Sequence, residues 1–150
     1  MNSTLLFTRI APIYALFYSY QKKRYRKTIS EMKDTLDVTR YSSVVDIGCG
    51  SGALANVLAE SGLNVTAVDG AEGMIKWAKK KNNNSAITFL HADVLAPLQL
   101  EDKRFDLAIT SYVAHGMMEH ERKRLYALMS RLAINYVIIH DYNDKRGFLT

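Results

Sequence analysis

The chain has few of the residues that define specialised classes of protein. Its 150 residues include one cysteine, two prolines and eight glycines. A single cysteine, Cys49, excludes an internal disulfide framework and a zinc site built from several cysteines. The low glycine and proline counts exclude collagen-like and low-complexity chains. These absences predict a globular protein in a reducing, cytoplasmic environment.

Long hydrophobic runs are also missing. No stretch approaches the roughly eighteen apolar residues that a membrane-spanning helix needs, so no span is predicted. The run Leu5-Leu6-Phe7 is interrupted by Arg9, too early for the apolar region of a signal peptide. A composition of 48% hydrophobic and 23% charged residues is typical of a folded domain. At this length we expect a single domain over residues 1–150.

The positive charge lies at one end of the chain. Residues 1–40 contain eight Lys and Arg against three Asp and Glu, whereas the remaining residues contain twelve of each. The main source is the basic cluster, residues 22–27. No basic or aromatic stripe recurs downstream, so we interpret the cluster as a solvated helix face and expect no nucleic-acid partner. Apolar spacing predicts a long amphipathic helix over roughly 12–36, which makes residues 1–40 a helical N-terminal cap.

From residue 41 onwards, short apolar runs alternate with segments of helical periodicity. Strands are predicted at 44–47, 64–68, 87–90, 105–110 and 136–140, and helices at 53–60, 74–81 and 119–132. Strands separated by helices of this length predict parallel pairing with helices on both faces of the sheet. The fold class is therefore α/β, with a three-layer core over residues 41–150.

Ligands of such sheets bind beyond the carboxyl ends of the strands. The first strand leads into the glycine-rich segment 48–52, where the backbone can turn tightly and approach a ligand closely. Gly48, Gly50 and Ala53 also satisfy the relaxed dinucleotide fingerprint. An NAD(P)-dependent or flavin oxidoreductase is therefore an alternative at this point.

Three carboxylates favour a different ligand. Asp46 lies two residues before the first glycine, where it would repel a pyrophosphate in a poorly screened site. Asp69 ends the second strand, nineteen residues after Gly50, a spacing at which a carboxylate can accept both hydroxyls of a ribose. Asp93 follows the third strand and can read the edge of an adenine. Together they favour a cationic nucleoside, such as S-adenosylmethionine, over a dinucleotide.

The segments 44–52, 65–69, 91–94 and 105–109 resemble, in order, the motifs of class I S-adenosylmethionine-dependent methyltransferases. The resemblance covers about residues 40–142. It implies a Rossmann-like parallel sheet of order 3-2-1-4-5 and in-line methyl transfer to a small-molecule acceptor, with S-adenosylhomocysteine as the product. The family's antiparallel hairpin after the fifth strand is expected to be absent, because the sequence ends at Thr150. A truncated core of this kind would expose the fifth-strand edge, through which a homodimer could form.

The resemblance also implies roles for individual residues. The cofactor-binding set is Tyr14, Asp46, Gly48, Cys49, Gly50, Gly52, Asp69, Gly70, Met74, Asp93, Val94, Thr110 and Ser111. Within it, Tyr14 would close over the methionine moiety, and Thr110 and Ser111 would lie beneath the sulfonium. Cys49 is interpreted as a small loop residue, because no paired base is evident.

The catalytic residues are less defined by pattern. A general base is needed only if the acceptor arrives protonated, and His115, after the fourth strand, is the candidate. His140 and Asp141 form a second predicted polar pair. The histidines lack metal-ligand spacing, so no metal is predicted. The segment 110–113 lacks the Asn/Asp-Pro-Pro-aromatic signature that resembling enzymes use on nucleobase amines. A catalytically silent cofactor-binding module is the third alternative.

Overall fold

The computed structural model describes residues 17–95, 100 and 103–142. The helices are α1 (Tyr18–Met32), α2 (Ala53–Glu60), α3 (Glu72–Lys81) and α4 (Glu119–Leu132). The strands are β1 (Ser43–Ile47), β2 (Asn64–Asp69), β3 (Ile87–His91), β4 (Phe105–Ser111) and β5 (Ala133–His140). All strand pairs are parallel, and the sheet order is β3-β2-β1-β4-β5. The predicted α/β class and strand order are confirmed.

The sheet is covered on both faces, because successive strand residues point in opposite directions. Val44 and its neighbours pack against α2 and α3 on one face, and α1 lies on the same side. Val45 and Ile47 pack on the other face against Leu125 and Met129 of α4. Both faces of β1 are fully buried, which explains why its sequence is an unbroken apolar run around Asp46.

The first helix differs from its prediction at the carboxyl end. It ends at Met32 rather than at residue 36, because residues 33–35 form a turn and Asp37 accepts a hydrogen bond from Thr39 N–H at 3.0 Å. It continues without a break through the basic cluster. Lys22 and Arg26 do not merely face solvent, since both bind Glu60 of α2, at 2.7 and 2.8 Å. The other basic residues of the cluster are exposed.

The fifth strand begins earlier than predicted. It follows α4 directly at Ala133, which pairs with Phe105, and the register between the two strands shifts before Leu107. Asp106 lies at this irregularity and accepts hydrogen bonds from the backbone of Ser42 and Ser43, at 2.8 and 3.0 Å. None of the helices in the described ranges is long and apolar enough to cross a membrane.

Candidate active site

A cavity of about 420 Å³ opens at the carboxyl ends of β1, β2 and β4. This volume is within the range of about 300–1,000 Å³ that small-molecule sites occupy. Its lining residues from the core are Gly48, Cys49, Gly50, Ser51, Ala53, Asp69, Gly70, Ala71, Met74, Val94, Ser111, Tyr112, Val113, His115, Gly116, Met117 and Tyr142. Gln21 and Tyr25 of α1 complete the wall. The cavity therefore lies where parallel sheets place their ligands.

The loop between β1 and α2 presents bare backbone to this cavity. Gly48 has a φ of +79°, and a Cβ there would collide with the side chain of Val113. Gly50 has a φ of +52°, and a Cβ there would meet nothing within 4 Å. Gly48 is thus required by packing. Gly50 instead leaves open space on the cavity side, where a ligand can approach the main chain.

Asp69 closes β2 and ties the two loops of the cavity together. Its Oδ2 accepts a hydrogen bond from Gly50 N–H, and its Oδ1 accepts one from Ala71 N–H, each at 2.8 Å. Burial raises the pKa of Asp69, and these two hydrogen bonds, with the charge of His91, counteract the rise. Each carboxylate oxygen keeps acceptor capacity for a further donor. A ligand hydroxyl is one such donor.

Asp46 is fully buried within β1. Its Oδ2 has no hydrogen-bond partner among the described residues. Burial, and then the charge of Asp69, raise the pKa of Asp46 to about 7. A buried carboxylate without a donor is destabilising unless something positive or hydrogen-bonding approaches it. A cationic ligand near this carboxyl group would lower its pKa again and stabilise the ionised form.

Most of the predicted site residues come together at the cavity. Those that line it are Gly48, Cys49, Gly50, Asp69, Gly70, Met74, Val94, Ser111 and His115. Asp46, Gly52, Asp93 and Thr110 are not among the lining residues. Tyr14 lies outside the described residues.

The residues that do not line the cavity have other contacts. A Cβ at Gly52 would lie 3.0 Å from the side chains of Asn82 and Phe89, so this glycine is needed for packing against α3 and β3. The Thr110 hydroxyl is buried and donates to the carbonyl of Ile47 at 2.8 Å. Asp93 is exposed, and its Oδ1 accepts a hydrogen bond from Leu95 N–H at 2.8 Å.

His115 follows β4 and is held by Asp141. Its Nδ1 lies 2.9 Å from Asp141 Oδ1, and its backbone N–H donates to Asp141 Oδ2 at 3.0 Å. Burial alone would raise the pKa of Asp141, but hydrogen bonds from Tyr142 and His115 lower it overall. His140, the other member of the polar pair predicted at the end of β5, turns towards β4 and contacts Ser111.

Ser111 links three elements at the cavity wall. Its hydroxyl lies 2.8 Å from His140 Nδ1 and 3.1 Å from the hydroxyl of Tyr25. Burial raises the pKa of Tyr25 to about 12. Gln21, one turn earlier in α1, accepts a hydrogen bond from the Ser51 hydroxyl at 2.8 Å. These contacts were missed when the basic cluster was interpreted as a solvated face. The available signal was Tyr25, an aromatic residue among the charges that lies one helical turn after Gln21.

Cys49 is not arranged for nucleophilic chemistry. Its side chain is buried, and burial raises the pKa of the thiol well above its usual value. The thiolate is therefore disfavoured, which agrees with its interpretation as a small loop residue. In the part of the chain that the structure describes, no group of three or more His, Cys, Asp or Glu side chains is placed to hold a metal ion.

Comparison with known proteins identifies the family. Residues 44–133 match the family described as "Methyltransferase domain", which is more than half of the chain. The chain belongs to this family. It is a class I S-adenosylmethionine-dependent methyltransferase domain, and S-adenosylmethionine is its cofactor. The comparisons give no support for an oxidoreductase.

Two curated relatives are named as O-methyltransferases. A malonyl-[acyl-carrier protein] O-methyltransferase of Bacillus cytotoxicus is 31% identical over 153 aligned positions, covering 99% of this chain and 53% of the relative. A ubiquinone biosynthesis O-methyltransferase of Rickettsia akari is 39% identical over 69 residues, covering 44% of this chain and 26% of the relative. The chain thus spans about half the length of the former and a quarter of the latter.

Solved structures agree on the fold. A S-adenosylmethionine-dependent methyltransferase from Archaeoglobus fulgidus has 27% identity and a TM-score of 0.67, with 87% of this chain and 59% of that chain covered. The site fits the cofactor of this family on two structural observations. Asp46 is buried with no hydrogen-bond partner for its Oδ2 among the described residues, and Gly50 leaves open space at the cavity wall.

Proposed function

We propose that this chain binds S-adenosylmethionine in the 420 Å³ cavity and transfers its methyl group to the oxygen of a small acceptor. The observation that carries this proposal is the pairing of an open glycine backbone, at Gly50, with two carboxylates, the buried Asp46 and the partly buried Asp69. The open backbone allows a nucleoside to approach closely. The two carboxylates supply negative potential and acceptors for its hydroxyls. The names of the two relatives favour oxygen as the receiving atom.

Some residues of the chain would bind the cofactor, and others would orient the acceptor. The cofactor supplies an electrophilic methyl group on a sulfonium, so the protein needs to orient the acceptor and exclude water. Asp69 would accept the ribose hydroxyls, with Gly70 and Met74 beside the adenine and Val94 at its edge. Asp46 would favour the positive charge of the bound donor. Ser111 lies on the cavity wall towards β4, where the acceptor can enter.

Binding is tested by calorimetric titration with S-adenosylhomocysteine and, in parallel, with NADH. We expect saturable binding of the first and none of the second. Asp69→Asn should weaken binding of S-adenosylhomocysteine at least about tenfold, because a carboxylate acceptor is lost. Asp106→Asn is the matched control, since Asp106 also accepts two backbone hydrogen bonds but lies at the opposite end of β4. Equal losses in both variants would contradict the ribose assignment.

Catalysis is tested separately from binding. A domain that binds the cofactor but transfers no methyl group to any acceptor would be the silent module considered from the sequence. Incubation with S-adenosylmethionine labelled on its methyl group, followed by mass spectrometry of the small-molecule fraction, separates these two outcomes. Labelled acceptor in the wild-type reaction, and none with Asp69→Asn, is the result that we expect.

A further inference from the structure

One carboxylate contacts His115 at two points, the imidazole and the backbone. Asp141 binds both Nδ1 and the backbone N–H of His115, at 2.9 and 3.0 Å, and its side chain is only 13% exposed. An ionised carboxylate only accepts hydrogen bonds, so the hydrogen in this contact is on Nδ1. In the neutral ring Nε2 is then the unprotonated nitrogen. Within the described residues Nε2 has no hydrogen-bond partner, and the ring lies on the cavity wall.

The ring of Tyr142 packs against this imidazole, and the ring of Tyr112 packs against that of Tyr142. The ring centroid of Tyr142 lies 4.9 Å from that of His115 and 5.0 Å from that of Tyr112. Tyr112 has a φ of +56°, a conformation that is strained for a bulky residue and that the surrounding structure must hold. This conformation places Tyr112 in the cavity wall, where its ring packs against that of Tyr142. Stacked and edge-on rings of this kind favour a flat aromatic ligand.

We propose that Asp141 is a positioning residue that holds His115 as a general base, and that the acceptor is an aromatic hydroxyl compound. This inference rests on the proposed function. His115 Nε2 takes the hydroxyl proton while the acceptor oxygen bonds to the methyl carbon. The electron pair of the broken carbon–sulfur bond stays on sulfur, which becomes a neutral thioether. The resulting imidazolium is stabilised by Asp141 and later returns its proton to water.

The alternative acceptor is a carboxylate, such as the malonyl group in the name of one relative. A carboxylate is ionised at neutral pH and needs no base. A fixed base would then have no proton to accept, and Asp141 would place a second negative charge near an anionic acceptor. A phenolic hydroxyl is largely protonated at neutral pH, so a base can contribute about 100-fold or more to its reaction. The geometry at His115 therefore favours the hydroxyl.

The tautomer of His115 is the first test, and it needs neither cofactor nor turnover. Long-range proton–nitrogen correlation spectra of the protein labelled with ¹⁵N-histidine distinguish a ring protonated at Nδ1 from one protonated at Nε2. We expect the Nδ1–H form in the wild type and a mixture of both forms in Asp141→Ala. His120→Gln, which changes an exposed histidine of α4, should leave the His115 signals unchanged. An Nε2–H tautomer in the wild type would overturn the proposal.

The second test uses 3,4-dihydroxybenzoate as the probe, because it carries phenolic hydroxyls and a carboxylate in one molecule. We expect a methyl ether, which resists mild alkaline hydrolysis, and a fall in kcat of about 100-fold in His115→Gln and tenfold or more in Asp141→Asn. A methyl ester, or ether formation that is unaffected by His115→Gln, would overturn the proposal.

Failure of the inference and failure of the proposed function give different results. Titration with S-adenosylhomocysteine reports only on the proposed function, and its affinity should stay within twofold of wild type in the control His120→Gln. If the wild type does not bind it, the proposed function fails. If it binds normally but the tautomer or the methylated oxygen is wrong, only the assignment of His115, Asp141 and the aromatic hydroxyl fails.

Discussion

The buried carboxylate of Asp46 links stability to pH. Its pKa of about 7 in the folded chain lies above the value of about 3.9 in an unfolded one. The folded state therefore binds more protons between these values, and this group makes the free energy of unfolding fall as pH rises through that window. We expect the gain in the free energy of unfolding from Asp46→Asn to be larger at pH 8 than at pH 5, by about 1–2 kcal/mol. Chemical denaturation at both pH values measures the difference.

Asp106 provides a control of opposite sign. Hydrogen bonds from Ser42 and Ser43 lower the pKa of its carboxyl group. Its stabilising effect is present above the unfolded pKa and is lost as pH falls through the folded one. Asp106→Asn should therefore destabilise the chain at pH 8. A loss of stability in Asp46→Asn at pH 8 would contradict the assignment of its raised pKa.

Two glycines of the β1–α2 loop should respond differently to a methyl group. Gly50→Ala meets no atom within 4 Å, so its cost to folding is the left-handed backbone alone, about 1–2 kcal/mol. Its methyl group enters the cavity and should abolish most binding of S-adenosylhomocysteine. Gly52→Ala has the same backbone strain and also presses on Phe89 and Asn82, so it should lose more stability. Thermal melts measure the loss of stability, and calorimetric titration measures the loss of binding. If the loss of binding were simply proportional to the loss of stability in the two variants, the distinction between the two glycines would be wrong.

At the scale of elements, α1 packs on the core through partly buried apolar side chains and is also bound to α2 by ion pairs. Glu60 binds Lys22 and Arg26, and these contacts lower its pKa. We expect Glu60→Ala to reduce global stability by less than about 1 kcal/mol, because the pair is largely exposed. It should nevertheless increase hydrogen exchange in α1 and weaken binding of S-adenosylhomocysteine, since Gln21 and Tyr25 line the cavity. Glu31→Ala removes an ion pair with Lys27 within the helix and is the control. Faster exchange in both variants would show that helix propensity, not docking, is the cause.

The elements also show which parts of the site can be predicted from sequence. The positions of Asp69 and the glycine loop at the cavity were predictable, because they depend on a strand end and on backbone conformation. Tyr25 and Tyr142 were not, because they reach the cavity through the packing of α1 and the exit of β5, which no local pattern encodes. The contact of His140 with Ser111 was not predictable for the same reason. Ser111 lies across a strand pair whose register shifts at Asp106.

At the scale of the whole molecule, β5 forms an exposed edge of the sheet. This strand pairs only with β4 in the described part of the chain, and it exposes the apolar side chains of Ile134, Tyr136 and Ile139. Ile134 alone is 62% exposed. An edge strand with unpaired backbone groups and exposed apolar side chains favours pairing with a strand of another chain. We therefore expect this chain to self-associate through β5 at micromolar concentrations.

A charge on the edge strand tests this expectation. Ile134→Lys should shift sedimentation of the chain towards the monomer and lower its light scattering, because a buried lysine opposes strand pairing. Thr88→Lys places the same charge at an exposed position of β3, the opposite edge, and should leave association unchanged. Binding of S-adenosylhomocysteine should survive in both variants, since neither residue lines the cavity. Association that persists in Ile134→Lys but disappears in Thr88→Lys would place the interface at β3 instead.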